Sequence, residues 1–461
     1  MMNCFERLSL HTMSIQSPRP SGVSGCWNSI VDRKLPGRTA RFAQVTELHT
    51  RREYTGREAT VNVNTLRSSI RADANESQAG TTLEKLQEEL GSVKIPEFTF
   101  PYPVRRNPHA DHAISKALIW WDEHSLGTVL SDPQKTQTLL SSKAVDSFTH
   151  IYIDAAEEEE RWVCCWNLWG FLFDELVGEM AQAQSGDAWH SLEKVALFFV
   201  EINMVVMYSY PNDRRLYNIF LQFVDLFPNE YREAILHNVD VELGNARRRP
   251  GSVYDTSRSS PFTIGFNDLW GKVVEAAHPE YAILWAYYTQ RWFLGNLQEI
   301  VVRRRGDVPS ASDYQATRRL SLAGQTFLVT VTHAEKLSFH QEIYDSPQMQ
   351  KLMESVSDYF SVLNDLYSFK REMMCGDVYN LVFVLSRERG CSFSDAVVLV
   401  VQILQERFQV LQRALVDFEA MSTVENERAV FAHTQAVKDA MAGYSHFATT
   451  VGTRYEYKMA V

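Results

Sequence analysis

Residues 355–374 read SVSDYFSVLNDLYSFKREMM, and their centre, NDLYSFKRE from Asn364 to Glu372, decides how the rest of the chain is read. The apolar positions recur at helical spacing, yet Asn, Asp and Ser disfavour helix interiors. On a helix turning ~100° per residue, Asn364, Ser368 and Glu372 fall at about 0°, 40° and 80°. An amide oxygen, a hydroxyl and a carboxylate therefore leave one face over two turns. That hard oxygen set suits Mg²⁺ or Mn²⁺ rather than zinc, and magnesium shares its shell with water and substrate phosphate. Lys370 and Arg371 stand beside the set, as bases that can meet such a phosphate.

Working outward, the helical period holds almost throughout. LEKLQEELGSV, from Leu83, predicts a short amphipathic helix. IPEFTFPYPVRRNPHA is an extended, Pro-punctuated segment. Helical patterns follow in DHAISKALIWWDEHSLG, from about Thr149 to Met180, and in SLEKVALFFVEINMVVMYSY. Others are expected near 213–235, 266–303, 313–335, 346–374, 376–389, 393–421 and 423–447. Strand-like alternation is nearly absent, so the fold class is all-α, with about ten or more helices between residues 91 and 461. The stretch 237–266 is polar and carries Gly, Pro and Ser, so it is expected as a long surface loop or insertion. Residues 1–90 show no sustained period and read as a disordered or weakly structured leader. Residues 1–75 hold 11 Lys and Arg against 6 Asp and Glu, and those acids argue against a transit peptide.

Composition excludes several classes. The chain has 461 residues, 45% hydrophobic, with 10 Trp, 19 Tyr and 25 Phe, enough for a large aromatic core or an aromatic-lined cavity. Its formal net charge of −11 argues against nucleic-acid binding, so any anion must be met by local bases or metal ions. The six cysteines, at 4, 26, 164, 165, 375 and 391, form no CxxC pair, which fits a reducing compartment such as the cytoplasm. No uncharged apolar run approaches the ~18 residues of a membrane span.

The oxygen set needs a counterpart across a cavity. RWVCCWNLWGFLFDELVGEM places Asp174, Glu175 and Glu179 at the end of a strongly apolar helix, where negative charge is disfavoured unless a cation is bound. Glu179 lies ~140° round an ideal helix from Asp174 and cannot share its metal unless the helix ends or bulges there.

These two motifs together resemble class I terpene synthases of the fungal and bacterial type, in which an aspartate-rich DDxx(D/E) motif faces (N/D)DxxSxxx(K/R)E. The second motif is complete here. The resemblance implies that Asn364, Ser368 and Glu372 are metal ligands and that Arg371 contacts diphosphate. The first motif departs from the pattern, with Glu175 at its second position, Gly178 at its fifth and an acid only at Glu179. Asp174 is then the main ligand of that wall, with Glu175 in support. YQATRRLSLAG resembles the family's diphosphate-sensing segment, giving Arg318, 46 positions before Asn364, with Arg319 as its competitor and Ser321 in the linker position. VGTRYEYKMAV supplies the Arg454–Tyr455 pair that in the family hydrogen-bonds diphosphate, and RRNPHADHA resembles the N-terminal NPH stretch. The likeness covers about residues 95–461 but neither the leader nor 237–266.

The resemblance implies one α domain, a helical bundle around a central active-site cavity, acting as a monomer or homodimer. It implies a carbon–oxygen lyase that ionises and cyclises a prenyl diphosphate with three Mg²⁺ ions, Mn²⁺ being the alternative. Farnesyl diphosphate is the favoured substrate. The alternatives are geranyl diphosphate or a non-catalytic descendant. Phe171, one turn before Asp174, is the candidate cation-stabilising wall, ahead of Trp166, Trp169, Tyr288 and Trp292. A chain-elongating prenyltransferase would need a second aspartate-rich motif, and a protonation-initiated cyclase would need DxDD. A second run, NDLWGKVVE, places Asn267, Asp268, Gly271 and Glu275 at the motif spacing, but no Arg segment stands at the right distance before it, so it is expected to be structural.

Overall fold

The computed structural model describes residues 88–451, apart from positions 97, 99, 183–187, 228, 258, 277, 306 and 307. The described residues belong to one compact unit, Val63–Val461. Nearly all of the leader expected at 1–90 lies outside them, as do Arg454 and Tyr455.

A helical turn at 88–92 leads into an extended segment up to residue 109. Helices follow as α1 Ala110–Glu123, α2 Pro133–Ser141, α3 Glu157–Gln182, α4 Ala188–Ser209, α5 Arg214–Val224, α6 Asn229–Arg248, α7 Pro261–Ala276 and α8 Pro279–Arg305. Next come α9 Ala311–Ser321, α10 Gly324–Ala334, α11 Gln341–Asp345, α12 Pro347–Met374, α13 Leu381–Arg389, α14 Phe393–Glu419 and α15 Glu427–His446. Among the described residues there is no strand, and no helix is long and apolar enough to cross a membrane. The all-α expectation holds.

Several boundaries differ from the sequence reading, the helices expected near 213–235 and 376–389 included, and four of the differences have a plain local reason. The helix expected from about Thr149 begins at Glu157 instead; Ala144–His150 forms 3₁₀ turns before it. Three successive glutamates, Glu157–Glu159, open α3 where the helix dipole favours negative charge. The loop expected over 237–266 shrinks to 249–260, because α6 runs on to Arg248 and α7 starts at Pro261. The extension of α6 is polar because it buries only a sparse stripe, Val239, Leu243 and Ala246. Its last turn ends in two arginines, and Arg247 donates to the Pro211 carbonyl at 2.9 Å. The run 266–303 is two helices because Pro279 opens α8 and has no N–H to continue a helix from α7. The run 313–335 is broken by Ala323, left-handed at φ 67°.

Two glycines let helices cross closely. A Cβ on Gly295 would lie 2.6 Å from the Ser321 nitrogen, so only glycine lets α8 touch the end of α9. A Cβ on Gly324 would meet Ser357 Oγ at 2.5 Å, so α10 lies directly on α12. Alongside, α3 carries a column of rings. Trp162, Trp166, Trp169 and Phe173 stack in turn with centroids 6.1, 5.4 and 5.7 Å apart. Phe262, Phe266 and Phe293 pack against Trp169.

Glu160 turns inward from the first turn of α3. It is fully buried, and neither carboxylate oxygen has a hydrogen-bond partner. Burial pushes its pKa up from 4.5 to about 8. In the unfolded chain the proton leaves near pH 4.5; in the native state it stays until about pH 8. Stability is therefore full below the lower value, falls as pH rises between the two, and is lost by this group's share above the upper one. Glu160→Gln, neutral throughout, is expected to flatten that slope and to melt at higher temperature than wild type above pH 8, by a few kcal/mol in stability. Thermal denaturation from pH 5 to 9 checks this; parallel curves for the two proteins would contradict it.

Candidate active site

A cavity of about 230 Å³ lies between α3, α8, the α9–α10 junction, α12 and α15. The cavity side of α3 presents Trp166, Asn167, Gly170, Phe171, Asp174 and Val177. From α8 come Trp292, Asn296, Glu299 and Arg303. From α12 come Val356, Phe360, Asn364, Arg371 and Glu372. In each helix the earlier positions are mostly aromatic or apolar and the charged ones sit toward the C-terminal end.

The motif on α12 is built into the fold by its second residue. Asp365 is buried away from the cavity face, where it accepts from Tyr314 Oη at 2.7 Å and from the Leu381 amide at 3.1 Å. Asn380, which caps α13, donates both to the Asp365 carbonyl and to Glu372 Oε2, at 2.8 and 2.9 Å. With the helix fixed in rotation, Asn364 accepts from Arg318 Nη2 and donates to Tyr444 Oη, both at 2.9 Å. Ser368 is fully buried between Asn364 and Glu372, and its hydroxyl has no hydrogen-bond partner. Burial, reinforced by the neighbouring Asp377, pushes the Glu372 carboxyl up to about 7.

Arg318 bridges three helices. It donates to Glu299 at 3.2 Å and to Asn364 and Asp365 at 2.9 and 3.1 Å. Burial works against its charge, but Tyr314, Asp365 and Glu299 outweigh it and hold the guanidinium firmly cationic. Arg319 points elsewhere, into a two-pronged pair with Asp358 at 2.6 and 2.8 Å. Across the cavity, Arg371 lies 3.8 Å from Glu175 and 3.9 Å from Glu372.

Asp174, Phe171, Asn364, Glu372, Arg371 and Arg318 thus share one cavity, with Ser368 immediately behind its wall and Glu175 beside Arg371. Glu179 does not join them. It accepts from the Ser131 amide at 3.1 Å and pairs with Lys135 at 3.3 Å, on the side of α3 that faces α2. Helix α3 continues past it to Gln182 without the bulge that could have brought it round. The expectation of Glu179 as a metal ligand is corrected accordingly. Trp166 and Trp292 line the cavity, whereas Trp169 and Tyr288 do not. Asp268 of the second, motif-like run accepts from Trp120 Nε1 at 2.8 Å, tying α7 to α1.

The sequence reading missed Asn296, Glu299, Arg303, Tyr379 and Tyr444. Glu299 is buried beside the Ser321 hydroxyl, which donates to it, and Arg303 reaches Asp377 at 3.2 Å and covers the Tyr379 ring at 5.2 Å. Asn296, Glu299 and Arg303 share one face of α8, but the same helix carries Glu280, Arg291, Arg304 and Arg305, which mask that spacing.

Among the described residues, no three His, Cys, Asp or Glu side chains gather closely enough to hold a metal by themselves. A metal here would draw on fewer than three such side chains, with the Asn364 and Ser368 oxygens, water or a ligand available to complete its shell. An unpartnered buried hydroxyl and a buried carboxylate reluctant to ionise both fit a hard divalent cation, which would coordinate the first and stabilise the charge of the second.

The chain is thus an all-α bundle enclosing an aromatic cavity, with acids on two facing helices and arginines between them. Residues 225–409 match the family described as terpene synthase family 2, C-terminal metal binding. The chain is 23% identical over 408 residues to alpha-gurjunene synthase of Marchantia polymorpha, covering 82% of this chain and 91% of that one. It is 26% identical over 250 residues to pentalenene synthase of Streptomyces arenae, covering 52% and 73%. Among solved structures it resembles α-eudesmol synthase, with a TM-score of 0.57 and 17% identity over 77% of this chain and all of that one. It also resembles germacradien-4-ol synthase from Streptomyces citricolor, with a TM-score of 0.55 and 20% identity over 76% and 98%. These likenesses support a class I terpene synthase.

Proposed function

We propose that the protein ionises and cyclises a linear prenyl diphosphate, farnesyl diphosphate foremost, to a sesquiterpene with release of diphosphate. The observation that carries this reading is the convergence of Asp174, Asn364, Arg318, Arg371 and Glu372 on one aromatic-lined cavity. Asp174, supported by Glu175, and Asn364, Ser368 and Glu372 would hold Mg²⁺, with three ions expected and Mn²⁺ as a substitute. Bound there, the ions would withdraw charge from the diphosphate oxygens and make it a better leaving group.

The chain's own residues do the rest. Arg318 and Arg371 donate hydrogen bonds to the diphosphate, and the resemblance adds Arg454 and Tyr455 to that grip. Arg318 is held by Glu299, Asn364 and Asp365 before substrate arrives, so it stabilises the charge that develops on the leaving oxygen without reorganising. As the C–O bond breaks, the electron pair goes to diphosphate and an allylic cation is left in a water-poor space. The faces of Phe171, Trp166, Trp292, Phe148, Phe327 and Phe360 then stabilise the moving charge, by about 0.5–2 kcal/mol per ring. The names of the relatives, sesquiterpene synthases among them, support farnesyl over geranyl diphosphate.

The test is purified protein incubated with Mg²⁺ and C10, C15 or C20 prenyl diphosphate, with extracts analysed for terpenes and free diphosphate. Terpene formed chiefly from C15 supports the reading. No turnover of any of the three would overturn it in favour of a non-catalytic descendant.

A further inference from the structure

The cavity side of α3 lacks a side chain at one level, Gly170, between Trp166 and Asn167 on one side and Asp174 on the other. Glycine inside a helix costs about 1 kcal/mol relative to alanine, so its presence calls for a reason. At Gly295 and Gly324 the reason is close packing, since a Cβ would collide with backbone or a hydroxyl of the neighbouring helix. At Gly170 it is not. A Cβ there would meet only Trp292 Cη2, at an ordinary contact distance of 3.7 Å. Gly170 nonetheless lines the cavity, so any side chain longer than a methyl at this level, already in contact with Trp292, must project into that space.

The opposite wall cannot give way. Trp292 donates from Nε1 to the Ser321 carbonyl at 2.8 Å, and its ring packs on Phe173 and Phe293 with centroids 4.9 and 5.4 Å away. Gly170 lies one turn, ~6 Å along the axis, from Asp174. A chain anchored by its diphosphate near Asp174 must pass or fold back at this level.

We propose that the missing side chain at Gly170 sets the length of isoprenoid chain the cavity admits. This rests on the reading of the protein as a prenyl diphosphate cyclase. A larger residue at 170, blocked on one side by the fixed Trp292 ring, fills part of the cavity while leaving the diphosphate end untouched. Shorter substrates then fit and longer ones do not.

The experiment compares wild type, Gly170→Ala and Gly170→Leu for turnover of C10, C15 and C20 diphosphates in Mg²⁺. Binding of inorganic diphosphate with Mg²⁺ and the thermal midpoint are measured alongside. The ratio of turnover on the longest accepted chain to that on the next shorter one is expected to fall about tenfold or more in the Leu variant and about threefold in the Ala variant. Inorganic diphosphate binding stays as in wild type. Equal losses on all lengths, or unchanged ratios, overturn the inference. Should the Leu variant fail to fold, the Ala variant decides, because its Cβ is accommodated; an unchanged ratio there is equally fatal. Absence of turnover by wild type on every length instead refutes the underlying function, and this inference falls with it.

Discussion

Glu372→Gln is expected to lower turnover of a prenyl diphosphate about a thousandfold, with the fold intact. The amide keeps the shape of the side chain and an oxygen for the Asn380 amide to reach. What it removes is the negative charge, and only the charge is costly to keep in that buried place. If the charge had no cation to meet, its loss would be neutral or stabilising. Ser368→Ala makes the same point from a group with nothing else to lose, since its buried hydroxyl has no hydrogen-bond partner. Its turnover at low Mg²⁺ is expected to fall about a hundredfold and to recover partly as Mg²⁺ is raised, with the thermal midpoint unchanged. Asn267→Ala, in the motif-like run on α7, is the control and should leave turnover nearly intact. Retention of more than about a tenth of wild-type turnover by Glu372→Gln would contradict the metal assignment.

Arg318→Lys is expected to lower kcat/KM by about two to three orders of magnitude. Lysine keeps the charge, so Glu299 and Asp365 are not left buried beside nothing, which would be destabilising in itself. It cannot keep the fork that reaches Glu299, Asn364 and Asp365 at once. Arg319→Lys, one position on, should stay within a few-fold of wild type, because Arg319 is committed to the partly exposed Asp358. Titration with inorganic diphosphate and Mg²⁺ separates grip from folding: weaker binding at an unchanged melting temperature is the expected pattern. Equal losses for the two arginines would show that the helix, not the guanidinium at 318, was damaged.

The parts of this site that could be read from the sequence are those written within one helix. Asn364, Ser368 and Glu372 need only the helical period to fall on one face, and α12 is unbroken from Pro347 to Met374. The choice between Arg318 and Arg319 needed the structure, because adjacent residues differ by a rotation that only the neighbouring helices fix. Glu299 and Arg303 were invisible for a similar reason. Each is one of several charges on a long mixed helix, and its meaning lies in Arg318 and Asp377, on other helices or loops. The mistaken loop at 237–266 came from a helix so lightly buried that its polar residues outnumber its core stripe. The rotation of Glu179 was legible as an angle. Only Ser131 and Lys135 of the neighbouring segment show where that angle leads.

The ring column of α3 has an optical consequence. Of the protein's 10 tryptophans, Trp166 and Trp292 face the cavity. Trp162, Trp169 and Trp285 stand within 6.3 Å of one or other of them, centroid to centroid. Light absorbed anywhere in this cluster can migrate between indoles before it is emitted, so a few rings at the cavity wall colour the signal of many. The intrinsic fluorescence of the unlabelled chain is in that sense a gauge of what fills its cavity, and the arrival and departure of a colourless hydrocarbon become events that can be watched as they happen.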